Sequence, residues 1–127
     1  MLKILLVPMV TMFISTAYAA IPDHHAIEQQ CLDVAQQLQD LVETKLHDPC
    51  IGDVQMVANY AGKTALKVRQ QNYESALTDI TYGVYELQAI QQRAWCVNLV
   101  TPTKPFIQIT KKISKDIDTL SRYQDFN

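Results

Sequence analysis

Apolar side chains recur every three or four residues along most of this chain, which is the spacing of one face of an α-helix. Four such stripes are separated by short breaks that are polar or contain proline. They cover approximately residues 23–47, 49–68, 73 to 95 or 96, and 106–120. Because no stretch alternates with a period of two for long enough to form a convincing strand, the pattern predicts an all-α protein.

The breaks between the stripes contain residues that start helices. Asp23 follows Pro22 and is a suitable N-cap, and Asn72 is a suitable N-cap for the third helix. Asp48 and Pro49 are expected to be the N-cap and first residue of the second helix. Residues 97–104 are expected to form a loop. Four helices joined by short connections predict a single-domain, up-and-down four-helix bundle.

The first twenty residues follow a different pattern. Lys3 precedes an almost entirely apolar run over residues 4–14, and small residues follow it. This order, ending in Ala17-Tyr18-Ala19, is typical of a secretory signal peptide. We therefore expect a signal peptide at residues 1–19, cleavage after Ala19, and a helical bundle domain at residues 20–127. An uncleaved membrane anchor is the alternative, but the apolar run is about half the twenty residues that a spanning helix needs.

Composition narrows the function classes. The chain has 127 residues, 48% of them hydrophobic and 19% charged, with a formal net charge of −2. This length favours one domain, and the apolar fraction is ordinary for a folded protein. The chain is slightly acidic and therefore lacks the excess of basic residues that is typical of a nucleic-acid-binding protein. We expect a periplasmic or secreted protein without stable membrane insertion.

The three cysteines predict one disulfide and one remaining thiol. Cys50 and Cys96 lie nearly equal distances before and after the turn at Asn72, so a helix hairpin places them side by side at its open end. Cys31 lies roughly 24 Å along the first helix from the Cys50 turn. We therefore predict a Cys50–Cys96 disulfide, with Cys31–Cys96 as the competing pairing if the first helix breaks or docks differently.

Cys31 is then the candidate free thiol. One interpretation makes it a small buried apolar residue between Ile27 and Val34. The other makes it a thiol that pairs with a redox partner or with a second chain, which leaves a homodimer open.

No motif for catalysis, phosphate binding or covalent haem attachment occurs in the sequence. His47 is close to Cys50, but Pro49 intervenes and Cys50 is expected to be oxidised. We therefore predict a non-enzymatic protein without a cofactor or metal site.

Three aromatic residues are candidates for an interface. Tyr82 and Tyr85 lie off the apolar stripe of the third helix, and Trp95 follows near its end. Exposed Tyr and Trp are favoured at protein interfaces, because they cover a large area at little entropic cost. The alternative is that they pack against the fourth helix or the loop.

Residues 60–83 carry one partial motif. Aromatic, small and bulky apolar residues recur at fixed spacing, namely Tyr60, Tyr73, Ala76, Ile80 and Gly83. In this pattern the stretch resembles one tetratricopeptide repeat, although Thr64 and Lys67 depart from it and no second copy lies 34 residues away in either direction. The resemblance implies close packing of a helix hairpin and not membership of that family.

These observations together predict an exported helical protein that acts by binding a protein partner. An inhibitor or immunity protein and an accessory factor of an envelope assembly both fit this description. The alternative is a carrier of a small apolar ligand or lipid, which would require a cavity between the second and third helices, where side chains are small. An enzyme of an unrecognised type is the remaining hypothesis.

Overall fold

A computed structural model describes residues 21–125, and the predicted signal peptide lies outside this range. The elements are α1 (His24–Thr44), α2 (Ile51–Arg69), α3 (Tyr73–Ile90), a 3₁₀ helix (Ala94–Leu99), α4 (Val100–Thr103) and α5 (Pro105–Asp125). The all-helical class is confirmed. The count of four was wrong, since the described residues contain five α-helices and a 3₁₀ helix.

The additional helices lie where a loop was predicted. The third helix was expected to reach Trp95 or Cys96, but it ends at Ile90 because Arg93 adopts an extended conformation. The chain then forms the 3₁₀ helix and the single turn of α4. Pro102 is tolerated there because the first turn of a helix does not need its N–H groups.

The four long helices contact one another in a ring. α1 packs on α2, α2 on α3, and α3 on α5, while a sparser contact between α1 and α5 closes the ring. Long helices that are consecutive in the sequence therefore pack side by side, as their short connections require. Within residues 21–125, no helix is long and apolar enough to cross a membrane.

The predicted caps are correct at two of three helix starts. The Asp23 side chain accepts a hydrogen bond from the His25 backbone N–H, and Asn72 caps α3 through the Ser75 N–H. The prediction for α2 was wrong, because its N-cap is Cys50 and its first residue is Ile51. Asp48 instead accepts from the Cys50 backbone N–H, so its carboxylate stabilises the turn one step earlier.

The turn between α2 and α3 is a Schellman motif built without glycine. The Asn72 N–H donates to the Lys67 carbonyl, and the Gln71 N–H donates to the Val68 carbonyl. Gln71 has φ of 57°, the left-handed conformation that this motif requires. The tight turn brings α3 back directly alongside α2.

Gly83 of α3 faces α2 inside the hairpin. A Cβ atom placed on Gly83 would lie 3.6 Å from Tyr60 Cβ and 4.0 Å from Val57 Cγ1, which is ordinary van der Waals contact. A larger side chain at this position would have to displace α2. The small residues Ala58, Ala61 and Ala65 are buried along the same helix. The hairpin is therefore packed closely, as the sequence predicted.

Buried hydroxyl groups donate to nearby backbone carbonyls of the same helical stretch. Thr64, Thr103 and Thr110 are fully buried, and each donates to the carbonyl four residues earlier. No buried side-chain nitrogen or oxygen of the described residues lacks a hydrogen-bond partner. The interior of the ring is therefore mostly apolar, and its few buried polar side chains are all hydrogen-bonded.

The predicted disulfide is confirmed. Cys50 and Cys96 are joined, their Cα atoms lie 4.9 Å apart, and both residues are fully buried. The bond links the start of α2 to the 3₁₀ helix that follows α3. It therefore closes the open end of the hairpin, opposite the Gln71 turn.

Replacing both Cys50 and Cys96 by Ala is expected to lower the free energy of unfolding by about 4 kcal/mol, because the 46-residue separation of the bridge removes chain entropy from the unfolded state. Urea denaturation of the oxidised protein and the variant measures this difference. Reductant should destabilise the wild type and leave the double variant unchanged. Equal stability of the oxidised and reduced wild type would contradict the prediction.

Replacing Gly83 by Leu is expected to destabilise the protein by about 1–3 kcal/mol through overpacking against Tyr60. Gly83→Ala should be neutral or stabilising by up to about 1 kcal/mol, because Ala favours helix and its methyl group fits. Gly62 is the matched control, since no atom lies within 4 Å of a Cβ placed there. Thermal denaturation showing the same cost for Leu at both positions would rule out the close contact.

Candidate functional site

The outer surface of α3 carries two exposed aromatic side chains. Tyr82 and Tyr85 are 52% and 62% exposed. The Tyr82 ring stacks on Tyr60 of α2, with ring centroids 5.7 Å apart and planes inclined by 30°. This contact restricts the Tyr82 side chain, which stays about half exposed.

A shallow groove of about 350 Å³ runs beside these rings. Its lining residues all belong to α3 and are Leu77, Thr78, Thr81, Tyr82 and Tyr85. The groove is open to solvent, so it is a surface depression and not an enclosed cavity.

Trp95 lies on the 3₁₀ helix and is 57% exposed. The Arg93 guanidinium lies 5.9 Å from the centre of its ring, within the range of a cation–π interaction. Trp95 does not line the α3 groove. The candidate interface therefore has two parts, the tyrosines of α3 and the tryptophan of the following segment.

Arg93 connects this segment to two helices. It donates a hydrogen bond to Glu86 of α3, and its Nη1 lies 3.1 Å from Asp53 Oδ2 of α2. The hydrogen bond to Glu86, with the negative charges of Glu86 and Asp53, raises the pKa of Arg93 above its ordinary value, although burial partly opposes this. These ion pairs hold the backbone that carries Trp95.

Sequence reasoning did not find Arg93, Glu86 or Asp53. Arg93 and Glu86 are seven residues apart, a spacing that places both on one side of a helix, but α3 ends between them. Asp53 is distant in sequence and meets Arg93 only because the disulfide anchors the 3₁₀ helix to α2. Predicting these ion pairs from the sequence would therefore have required the pairing of α2 and α3 to be known first.

Asp53 also lies against the disulfide. Its Oδ2 atom is 3.3 Å from Cys50 Sγ and 3.5 Å from Cys96 Sγ. Among the described residues, these three are the set of ligand-type side chains close enough together to hold a metal ion. The two sulfur atoms are bonded to each other and are not thiolates, so the intact disulfide leaves one carboxylate, which Arg93 already pairs.

Cys31 is fully buried in the core and forms no disulfide. Burial, with a smaller contribution from the negative charge of Glu28, raises the pKa of its thiol from 9.0 to about 12. A thiol that is both protonated and inaccessible is a poor nucleophile. The folded chain therefore keeps Cys31 away from any thiol of a second chain.

A second cleft, of about 290 Å³, lies between α1 and α5. Its lining residues are Gln30, Asp33, Val34, Gln37, Ile109 and Lys112. Val34 and Ile109 provide apolar surface, and Ile109 is 42% exposed. The cleft occurs where the ring of helices is most loosely closed.

Comparison of the chain with protein-family models finds no match, and neither the curated proteins nor the solved structures match it. The residues of this chain form an all-helical, disulfide-bridged protein with an exposed aromatic surface.

The buried thiol predicts a specific alkaline instability. In the unfolded chain Cys31 ionises near pH 9, whereas in the folded protein it stays protonated up to about pH 12. Folding therefore retains a proton in this interval, and stability falls as pH rises, by about 1.4 kcal/mol per pH unit from this one group. Urea denaturation between pH 8 and about pH 10.5 should show a steeper decline for the wild type than for Cys31→Ala.

Alkylation gives an independent check on the same thiol. Iodoacetamide should modify Cys31 slowly in the native protein and rapidly in denaturant, because only the unfolded chain exposes a thiolate. Rapid labelling of the native protein, or parallel pH profiles for the wild type and Cys31→Ala, would show that the thiol is accessible.

Proposed function

We propose that this chain is an exported, non-enzymatic helical protein that acts by binding a protein partner, in the manner of an inhibitor, an immunity protein or an accessory factor of an envelope assembly. The observation that carries the proposal is the exposure of Tyr82, Tyr85 and Trp95 on a covalently braced surface.

The chemistry of this surface is that of a protein interface. Tyrosine and tryptophan are enriched among the residues that dominate binding energy, because each presents a large, rigid area with one polar atom. The stacking of Tyr82 on Tyr60 restricts the ring before any partner arrives. Binding then loses less side-chain entropy than it would with a freely rotating ring.

The support beneath Trp95 favours the same function. Arg93 pairs with Glu86 and Asp53, and Cys96 is bonded to Cys50. An isolated 3₁₀ helix is a short and weakly stabilised element. These bonds to α2 and α3 hold it in place, which preorganises Trp95 for contact with a partner.

Export is supported by the disulfide and by the leader-like composition of residues 1–19. Disulfides form and persist in the bacterial periplasm and outside cells, and they are rare in reducing compartments. The protein is accordingly proposed to meet its partner in the periplasm or after secretion.

The contact between α2 and α3 favours protein binding over carriage of an apolar ligand. A carrier would need space between these helices, but a Cβ atom placed on Gly83 would already be in van der Waals contact with Tyr60 and Val57. The aromatic surface, in contrast, is already open to solvent and needs no rearrangement.

A photoreactive amino acid at Tyr85 or Trp95 tests the proposal in intact cells that produce the full chain. The expected result is a crosslinked adduct of one defined protein, recovered from the periplasmic fraction and identified by mass spectrometry. The same amino acid at Gln36, which is exposed on α1, is the matched control and should give no such adduct. Equal crosslinking at all three positions would indicate non-specific contact.

Loss of the two tyrosine rings is expected to weaken the interaction strongly. The double variant Tyr82→Ala and Tyr85→Ala should bind the crosslinked partner at least about tenfold more weakly, because hot-spot aromatic residues each contribute about 2 kcal/mol or more. Leu66→Ala, at an exposed apolar position of α2, is the control and should bind normally. Isothermal titration with the identified partner measures both, and unchanged affinity of the double variant would refute the assigned surface.

A further inference from the structure

The cleft between α1 and α5 lies between an acidic helix and the lysine-rich first half of another. α1 carries four acidic residues and no Lys or Arg, the acidic residues being Glu28, Asp33, Asp40 and Glu43. The part of α5 before Asp116 carries three lysines and no acidic residue, the lysines being Lys111, Lys112 and Lys115. The second half of α5 adds Asp116, Asp118, Arg122 and Asp125, so α5 as a whole is nearly neutral and only its first half, beside the cleft, is positive.

The apolar floor of the cleft lies between these charges. Ile109, which is 42% exposed, and the buried Val34 line the cleft, with Asp33 of α1 on one side and Lys112 of α5 on the other. An exposed apolar side chain flanked by opposite charges is complementary to a copy of itself when the copy is turned so that positive faces negative.

One orientation of a second copy satisfies this condition. A two-fold axis parallel to the helices places α1 of one copy over α5 of the other. This rotation leaves the position of each residue along the helix axis unchanged. Asp33 of each copy then faces Lys112 of the other, and the two Ile109 side chains meet between them. A two-fold axis across the helices would instead place α1 on α1, where the acidic residues repel one another.

The charged groups retain capacity for these contacts. Asp33 Oδ1 accepts a hydrogen bond from Gln29 at 3.0 Å, and a carboxylate has a second oxygen. Lys112 Nζ lies 2.7 Å from Asp116 Oδ2, but its side chain is 66% exposed and an ammonium group has three protons. Both can therefore keep their partners within the chain and gain one from another copy.

From this self-complementary pattern we infer that the cleft between α1 and α5 is the interface of a two-fold homodimer, in which Asp33 of each copy pairs with Lys112 of the other. The occupant of the cleft is a second copy of this chain. The Tyr60–Tyr82 stack joins α2 and α3, on the opposite side of the ring. The dimer therefore leaves the aromatic surface of both copies open.

Charge exchange in separate chains tests the inference. The purified wild-type protein should sediment as a dimer at low salt, with a dissociation constant that rises as salt is added. Asp33→Lys alone and Lys112→Asp alone should each weaken self-association at least about tenfold, because each places like charges opposite one another. An equimolar mixture of the two variants should associate again, since in the mixed dimer each of the two contacts joins one ammonium group to one carboxylate.

The mixture distinguishes pairing between chains from pairing within one chain. A purely intrachain role for Asp33 and Lys112 would leave each variant impaired after mixing, and that result would overturn the inference. A monomeric wild type, or single variants as dimeric as the wild type, would overturn it equally. Lys63→Asp on the opposite side of the ring is the matched charge control and should remain dimeric, and circular dichroism of each variant verifies that it is folded.

Discussion

The covalent bond between Cys50 and Cys96 determines where the segment after α3 lies, and the remaining surface depends on that segment. α3 ends at Ile90, and the next residues form a 3₁₀ helix and one turn of α4 before α5 begins. Such short elements have little stability of their own. The disulfide holds the segment against the start of α2, which brings Arg93 within reach of Asp53 and leaves Trp95 exposed.

The hairpin of α2 and α3 is restrained at both ends and in the middle. The disulfide closes one end, the left-handed Gln71 forms the turn at the other, and Gly83 permits close approach between them. Thr64 and Lys67, the two departures from the tetratricopeptide pattern, have roles inside the hairpin. Thr64 is buried and bonds to the Tyr60 carbonyl, and Lys67 pairs with the largely buried Asp79 of α3. The residues that break the resemblance are thus required by this chain's own packing.

Periodicity and spacing predicted the helical class, the long helices, two of three N-caps and the disulfide, because each depends on local pattern or on hairpin symmetry. The start of α2 was predicted two residues too early, because Asp48 caps the turn before the helix and not the helix itself. The sequence alone does not distinguish these two roles. The short helices after Ile90 escaped prediction because tertiary anchoring at Cys96 stabilises them, and they have no amphipathic stripe of sufficient length. The same dependence on tertiary contacts hid the Arg93 ion pairs, whereas the exposure of Tyr82 and Tyr85 followed from their positions off the apolar stripe.

Charge on α1 and α5 illustrates how folding changes the meaning of a sequence feature. Taken separately, the acidic residues of α1 and the lysines around Lys112 are ordinary solvated faces. The ring of helices places them side by side across a cleft that exposes Ile109, and only then does the proposed self-complementary surface exist. Because that surface and the Tyr60–Tyr82 stack lie on opposite sides of the ring, the proposed self-association would not compete with the proposed partner binding. A dimer built in this way presents two equivalent aromatic surfaces, so a partner with repeated sites would bind it with a gain in avidity and with no new contact.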